Sequence, residues 1–181
     1  METASLTSDD WLELALAELK DYGYVALKAQ PLAKKLNVTR GSFYHHFESL
    51  ENFHAAVISH WSDRSSGQII QTAQTANDCH KALDELLQKV LNSGEELERA
   101  VRSWSTVQAS VAEAVHRVDQ ERIKVAETLL IDGGVSKSAA AVRAKLLYWA
   151  AIGRLMLPFP ANNRLSQDEI SDFATLMFQD Q

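Results

Sequence analysis

Residues 29–47 read AQPLAKKLNVTRGSFYHHF, and the reading of this stretch decides the fold. Pro31 suits a helix's first turn, where a missing N–H costs nothing, and Leu32, Ala33 and Leu36 give that helix one apolar face. Asn37-Val38 is a turn: Asn tolerates unusual backbone angles, and Val38 can plug the gap between two helices. Thr39 is a natural N-cap, and Arg40 to Phe47 then form about two turns of a second helix. Phe43 and Phe47, four apart, face inward together. Arg40, Gly41, Ser42, Tyr44, His45 and His46 are left outward. This is the layout of a helix-turn-helix whose second helix is offered to a DNA groove.

Charge sharpens the reading. Lys28 to Phe47 contains Lys28, Lys34, Lys35 and Arg40 and no Asp or Glu. Residues 1–27 hold one Lys against six acids, and the whole chain stands at −6. A basic island in an acidic protein is what a phosphate-facing surface needs, because overall repulsion is overcome only where the duplex docks. The bland alternative is a helical hairpin with a solvated basic face.

The composition bounds the rest. With 181 residues, 46% hydrophobic and 23% charged, and only seven Gly and three Pro, the profile is that of a soluble all-helical protein. The length admits a small domain joined to a larger one. A single cysteine, Cys79, excludes an intrachain disulfide framework and suits a reducing cytoplasm. No basic segment leads into an apolar core at the N-terminus, so no signal peptide is expected. The apolar run Leu146 to Phe159, interrupted by Arg154, is too short to span a bilayer and reads as a buried helix.

The motif TRGSFYHHF followed by ESLENF, with DYGY and PLAKKLNV before it, resembles the DNA-binding domain of TetR-type bacterial transcriptional repressors. The resemblance spans Ser8 to Val57. It implies an all-α protein: a three-helix helix-turn-helix domain over residues 1–50, then a helical effector-binding and dimerisation domain over 51–181. It also implies a cytoplasmic homodimer, its two C-terminal helices pairing with their counterparts as a four-helix bundle, that leaves its double-stranded DNA operator when a small-molecule effector binds. One departure stands out. Such proteins usually carry a phosphate-contacting Lys at the start of the fourth helix, and here Leu50 occupies that place.

Side chain by side chain, Arg40 can donate two hydrogen bonds to a guanine edge. Gly41 and Ser42 permit close approach, and Ser42 can bond a base or phosphate. Tyr44 offers its ring to a thymine methyl and its hydroxyl to phosphate, the alternative being packing against the first helix. His45 and His46 suit phosphates, more so when protonated. Thr39 can cap and touch the backbone, and Lys28 looks like a phosphate anchor. Gln30 matches a position from which family members reach a base. Lys34 and Lys35 read as solvated lysines.

Elsewhere the periodicity predicts further helices. Thr7 or Ser8 caps the first, whose Trp11, Leu12, Ala15, Leu16, Leu19 and Tyr22 make one stripe, and Gly23 ends it in the left-handed conformation. Ser49 caps a helix with Leu50, Phe53, Val57, Ile58 and Trp61 on its apolar side, running to about Ala76. Helices follow over Asp78 to Asn92, broken by Ser93-Gly94, over Glu95 to about Gln108, and from Ala109 to a stop at Gly133-Gly134. The next starts at Ser136 or Ser138. Its Val142, Leu146, Trp149, Gly153 and Met156 keep helical spacing, yet apolar residues surround it near its end. Such a helix needs cover beyond its own chain, which argues for a subunit interface; Pro158 and Pro160 end it. Ser166 to Glu169 reads as a capping box opening the last helix.

Other chemistries find little footing. The six histidines include no i, i+4 pair, there is no H-E-x-x-H and no Cys-x-x-Cys, and no metal or cofactor is expected. Cys79 lacks an obvious base partner and no Gly-rich phosphate loop is present, so no catalytic residue is assigned. Asp119 and Arg122 at i, i+3 read as a surface helix pair. An effector pocket is implied by the resemblance, with Trp61, Trp104, Tyr148 and Trp149 as the aromatic residues of the body able to line it. Two rival functions stay open: an activator or protein-binding module that keeps the head fold, and a small helical enzyme.

Overall fold

A computed structural model describes residues 6–75, 78–92, 95–158, 162 and 164–179. Among them the chain is all helical, with no strand: α1 (Ser8–Tyr22), a 3-10 turn (Tyr24–Ala26), α2 (Ala29–Lys35), α3 (Arg40–His46), α4 (Leu50–Thr75), α5 (Cys79–Asn92), α6 (Glu95–Ser105), α7 (Ala109–Asp132), α8 (Lys137–Met156) and α9 (Gln167–Leu176). The expected break at Ser93-Gly94, the end near Ala76 and Pro160 lie outside the described residues. Two compact units are present: residues 1–63 with 96–116, and residues 64–95 with 117–181.

In the first unit each head helix begins or ends where its sequence provides for it. Thr7 closes a capping box on α1: its hydroxyl accepts from the Asp10 N–H at 3.3 Å, and Asp10 Oδ2 accepts from the Thr7 N–H at 2.7 Å. The Thr7 N–H, and after it the Thr7 hydroxyl donating to the same Oδ2 at 2.8 Å, hold the Asp10 carboxyl below its ordinary value. Gly23 ends α1 at φ 74 and ψ 178. That is the extended mirror region rather than the expected left-handed helical one, and it is open to glycine alone. Asn37, at φ 56, closes α2 in a Schellman motif, with Val38 N–H on Ala33 O at 3.0 Å and Asn37 N–H on Lys34 O at 3.2 Å. Ser49 caps α4 by accepting from the Asn52 N–H at 3.0 Å.

The head core is aromatic. Phe43 is fully buried, with its ring centroid 5.4 Å from Trp11, 5.4 Å from Phe47 and 5.0 Å from Phe53. Edge-to-face contacts of this kind add about 0.5–1.5 kcal/mol each beyond burial, so α3, only two turns long, is held by its neighbours rather than by its own helicity. Phe47 is buried from the C-cap position, one residue beyond the helix. Two expectations fail here. Tyr22, the last residue of α1, is 63% exposed, and its ring lies against the Lys35 ammonium at 4.9 Å. Leu50 is 37% exposed, since only Phe53, Val57, Ile58 and Trp61 of α4's apolar side reach the core. In the same unit α6 ends at Ser105, short of Gln108, whose side chain turns back to accept from Trp104 Nε1 at 2.9 Å.

The second unit packs α5, α7, α8 and α9 around Leu83, Leu87, Leu130, Leu147 and Ile170. Polar bonds fix α9: Ser171 Oγ donates to Asp84 Oδ1 at 2.8 Å, Gln88 to Gln167 O at 3.0 Å, and Arg143 to Met177 O at 2.8 Å, at the helix's negative end. Its start carries the expected capping box, Ser166 with Glu169. Asp119 and Arg122 are half-buried rather than on open surface, and Asp119 accepts a hydrogen bond from the Tyr148 hydroxyl. The glycine pair after α7 serves two purposes. Gly134 takes φ 94, whereas a Cβ on Gly133 would lie 2.2 Å from the Phe178 ring and 3.2 Å from Cys79 Sγ. The Phe178 ring in turn stacks on His80 at 3.7 Å.

Among the described residues one face of α8 is left uncovered. Leu147, Tyr148, Ala151 and Leu155 are buried, while Val142, Leu146, Trp149 and Met156 are 50–60% exposed. Each large apolar side chain left in water forgoes roughly 1.5–3 kcal/mol. Val142, Leu146, Trp149 and Met156 together make an exposed apolar stripe at helical spacing.

Candidate nucleic-acid interface

Three short segments supply the outward groups: the start of α2, the turn, and the free face of α3. Lys28 stands exposed at the N-cap of α2. Gln30 is exposed one residue into the helix. Thr39 caps α3 through its backbone, the carbonyl accepting from Ser42 N–H at 3.0 Å; the expected side-chain cap is not made, so the exposed hydroxyl remains free of that duty.

On α3 the inward and outward sets separate as the spacing requires. Phe43 is buried, Arg40, Gly41, Tyr44 and His45 are exposed, and Ser42 and His46 are half-buried. A Cβ at Gly41 would meet only Thr39 Oγ1 at 3.5 Å, an ordinary contact. Packing among the described residues therefore does not demand glycine there. His46 leans on α1, its ring 6.4 Å from Trp11, and its charge is a minor contributor to the lowered Asp10 carboxyl. His45 meets His46 edge-on at 5.3 Å and otherwise faces out.

Arg40 and Tyr44 form a unit. Arg40 Nη2 donates to the Tyr44 hydroxyl at 3.0 Å, and the guanidinium carbon stands 5.3 Å from the ring centroid. The Tyr44 ring, 44% exposed, rests edge-on against Phe43 at 5.2 Å. Tyr44 thus belongs to the outer face while using the core as its floor, and it does not pack into the interior.

Lys35 departs from the expectation of a solvated lysine. Its ammonium bonds the carboxylate of Glu18, a side chain 11% exposed on the buried side of α1, and that bond raises the Lys35 pKa above its ordinary value. The pair clamps α2 to α1 and removes one charge from the basic island. Lys34 stays exposed. Glu18 is a residue that sequence reading overlooked, although a carboxylate three residues after Ala15 on an apolar stripe must find a cation. Two further ties went unread: His54 Nε2 donates to Leu27 O at 3.0 Å and His60 Nε2 meets Glu13 at 2.9 Å, fastening the first half of α4 to the head.

The four aromatics considered for an effector fall apart. Trp61 and Trp104 are buried in the first unit; Tyr148 is buried in the second, and Trp149 is exposed on the α8 stripe. Among the described residues no group of three His, Cys, Asp or Glu side chains is placed to hold a metal ion, and no helix is long and apolar enough to cross a membrane.

Comparison with known proteins matches one stretch of the sequence to a family model and the fold to solved structures. Residues 12–57 match the model for bacterial regulatory proteins of the tetR family. Over nearly the whole chain the fold is that of solved regulators. A TetR transcriptional regulator from Legionella pneumophila is 18% identical, with 98% of this chain and 100% of that one covered and a TM-score of 0.78. Escherichia coli NemR in its reduced form is 16% identical, with 93% and 94% covered and a TM-score of 0.76. Salmonella enterica GusR is 18% identical, with 94% and 92% covered and a TM-score of 0.71. Among curated proteins no sequence matches this chain.

Proposed function

We propose, from the premise that this chain carries a tetR-family DNA-binding head on the fold of those transcriptional regulators, that it is a homodimeric repressor released from its operator by a small-molecule effector. The observation that carries the reading is the outer face of α3. Arg40 and Tyr44 stand exposed over a fully buried Phe43, in a stretch with no acidic residue. Lys28, Gln30, Thr39, Gly41, Ser42, His45 and His46 complete the proposed DNA surface. Residues 1–50 form the proposed DNA-binding domain and 51–181 the effector-binding and dimerisation domain.

A homodimer is supported by the uncovered stripe of α8, which suits an isologous contact with a second copy. Two α3 helices so paired read successive major grooves of a near-palindromic site, roughly 34–36 Å apart. The effector acts by binding one dimer state better than another, and the loss of operator affinity equals that differential. Trp61 and Trp104 in the first unit, and separately Tyr148 in the second, are the proposed effector contacts; Trp149, being on the α8 stripe, fits a partner subunit better.

The test is selection of bound sites from random DNA, followed by gel-shift titration. Arg40→Ala is expected to weaken specific binding by roughly 1–3 kcal/mol and to relax choice at one base pair. Unchanged affinity refutes the assignment of Arg40. A second reading, a protein-binding or activating module, is favoured by Leu50, 37% exposed where a phosphate-contacting Lys is usual. DNA affinity that scarcely responds to salt is its mark, since phosphate neutralisation gives a steep slope.

A further inference from the structure

The arrangement around Tyr44 assigns that residue a role in sequence choice, and we infer that Tyr44 is the positioning residue that aims Arg40 at its base pair. The inference rests on the DNA-reading function proposed above and extends it to the mechanism of selectivity.

An arginine reads guanine well only when its planar fork lies in the base plane, and the long side chain loses rotamer freedom in reaching that pose. Arg40 is exposed and has no carboxylate within its own segment to hold it. Its guanidinium is nonetheless fixed at two points by one neighbour: Nη2 donates to the Tyr44 hydroxyl at 3.0 Å and Cζ lies 5.3 Å from the ring. Tyr44 sits four residues on, one helical turn away, where side chains meet. It is itself held, because its ring rests edge-on against Phe43, which Trp11, Phe47 and Phe53 surround. Rigidity thus passes from the core through one phenylalanine and one tyrosine to the guanidinium.

The direction of the hydrogen bond adds a second consequence. The hydroxyl oxygen accepts from Arg40, so its own proton is left to be donated elsewhere, and a phosphate oxygen beside the groove is an acceptor of the right kind. Occupying that acceptor polarises the hydroxyl and strengthens its hold on Arg40. Backbone contact and base readout are then coupled through one oxygen atom.

The experiment uses full-length protein and a site selected from random DNA. Binding is measured by competition with all four base pairs at each position, for the wild type, Arg40→Ala, Tyr44→Phe and the double variant. Arg40→Ala is expected to flatten preference at one base pair by roughly tenfold or more. Tyr44→Phe, which keeps the ring and removes only the oxygen, is expected to lower preference at that same pair by about two- to tenfold, the worth of one hydrogen bond. Preferences elsewhere stay put, and so does the slope of affinity against salt, because no charge is lost. The double variant should match Arg40→Ala in preference.

Full preference retained in Tyr44→Phe, or an equal loss at every position, overturns the inference. A Tyr44→Phe effect as large in the Arg40→Ala background as in the wild type overturns it too. If the wild type selects no sequence at all, the DNA-reading function itself fails and the inference falls with it; binding that is selective but indifferent to Tyr44 removes the inference alone.

Discussion

The outer faces of α3 and α8 are both exposed, yet they ask for opposite things. On α3, Phe43 faces the core and the free side carries Arg40, Tyr44, Gly41 and His45, groups that water satisfies and that a phosphate or base edge satisfies better. On α8 the free side carries Val142, Leu146, Trp149 and Met156, which water does not satisfy at all. A polar face can wait indefinitely in solvent and bind reversibly, whereas an apolar face of this size is a standing cost that a constant partner removes. The first suits an operator that comes and goes; the second suits a subunit that stays.

That contrast can be broken at either end. The largest effect is expected at α8. Leu146→Ala removes apolar burial from both protomers of a symmetric pair, roughly 3–5 kcal/mol of association in all, while each protomer keeps its fold. Sedimentation showing an unchanged dimer at low concentration removes α8 from the interface.

Next comes the floor beneath α3. Phe43→Ala should lower stability by about 3–5 kcal/mol, read as a fall in unfolding midpoint and loss of DNA binding together. A variant that unfolds like the wild type would mean the aromatic cluster does not hold the helix. A smaller, more selective effect belongs to Lys28→Ala, expected to weaken binding alike on all sequences and to reduce the salt slope by about one. A changed base preference there would make Lys28 a reader rather than an anchor.

The smallest effects are in pH. Asp10 and Glu169 are held below their ordinary values of 3.8 and 4.5 by bonds from Thr7 and Ser166. Their contribution is complete above those values and is lost as pH falls through the lowered ones. Lys35 is raised above 10.5 by its bond to Glu18, so its contribution is complete below that value and fades as pH climbs through the raised one. Thermal unfolding of Asp10→Asn and Glu169→Gln should show a shallower acid-side decline than the wild type. An identical decline shows the capping boxes to be idle.

Local features were legible because their causes are local. Asn37 at the turn, Thr7 and Ser166 as caps, and Phe43 and Phe47 facing inward follow from backbone preference and a period of 3.6 residues. The uncovered α8 was legible too, from apolar residues on more sides than one core can use. What periodicity cannot supply is which distant side chain closes a polar account. Glu18 with Lys35 and Tyr148 with Asp119 each join two helices, and His54 with Leu27 O joins a helix to the loop before α2. Tyr22 was misread for a related reason: the stripe predicts its direction but not that its neighbour there is the Lys35 ammonium. At the candidate interface the outward residues were readable one at a time, whereas the bond between Arg40 and Tyr44 depends on rotamers that spacing alone leaves open.

The two adjacent glycines after α7 obey unlike rules. Gly134, at φ 94, is a matter of backbone angle, so any side chain there is strained although nothing stands in its way. Gly133 is a matter of room, and its vacancy is the mould into which the Phe178 ring is cast. Residues 133 and 178 therefore share one allotment of volume. A chain that acquired alanine at the first would have to shrink the second, and Gly133→Ala with Phe178→Leu should recover what the single change loses.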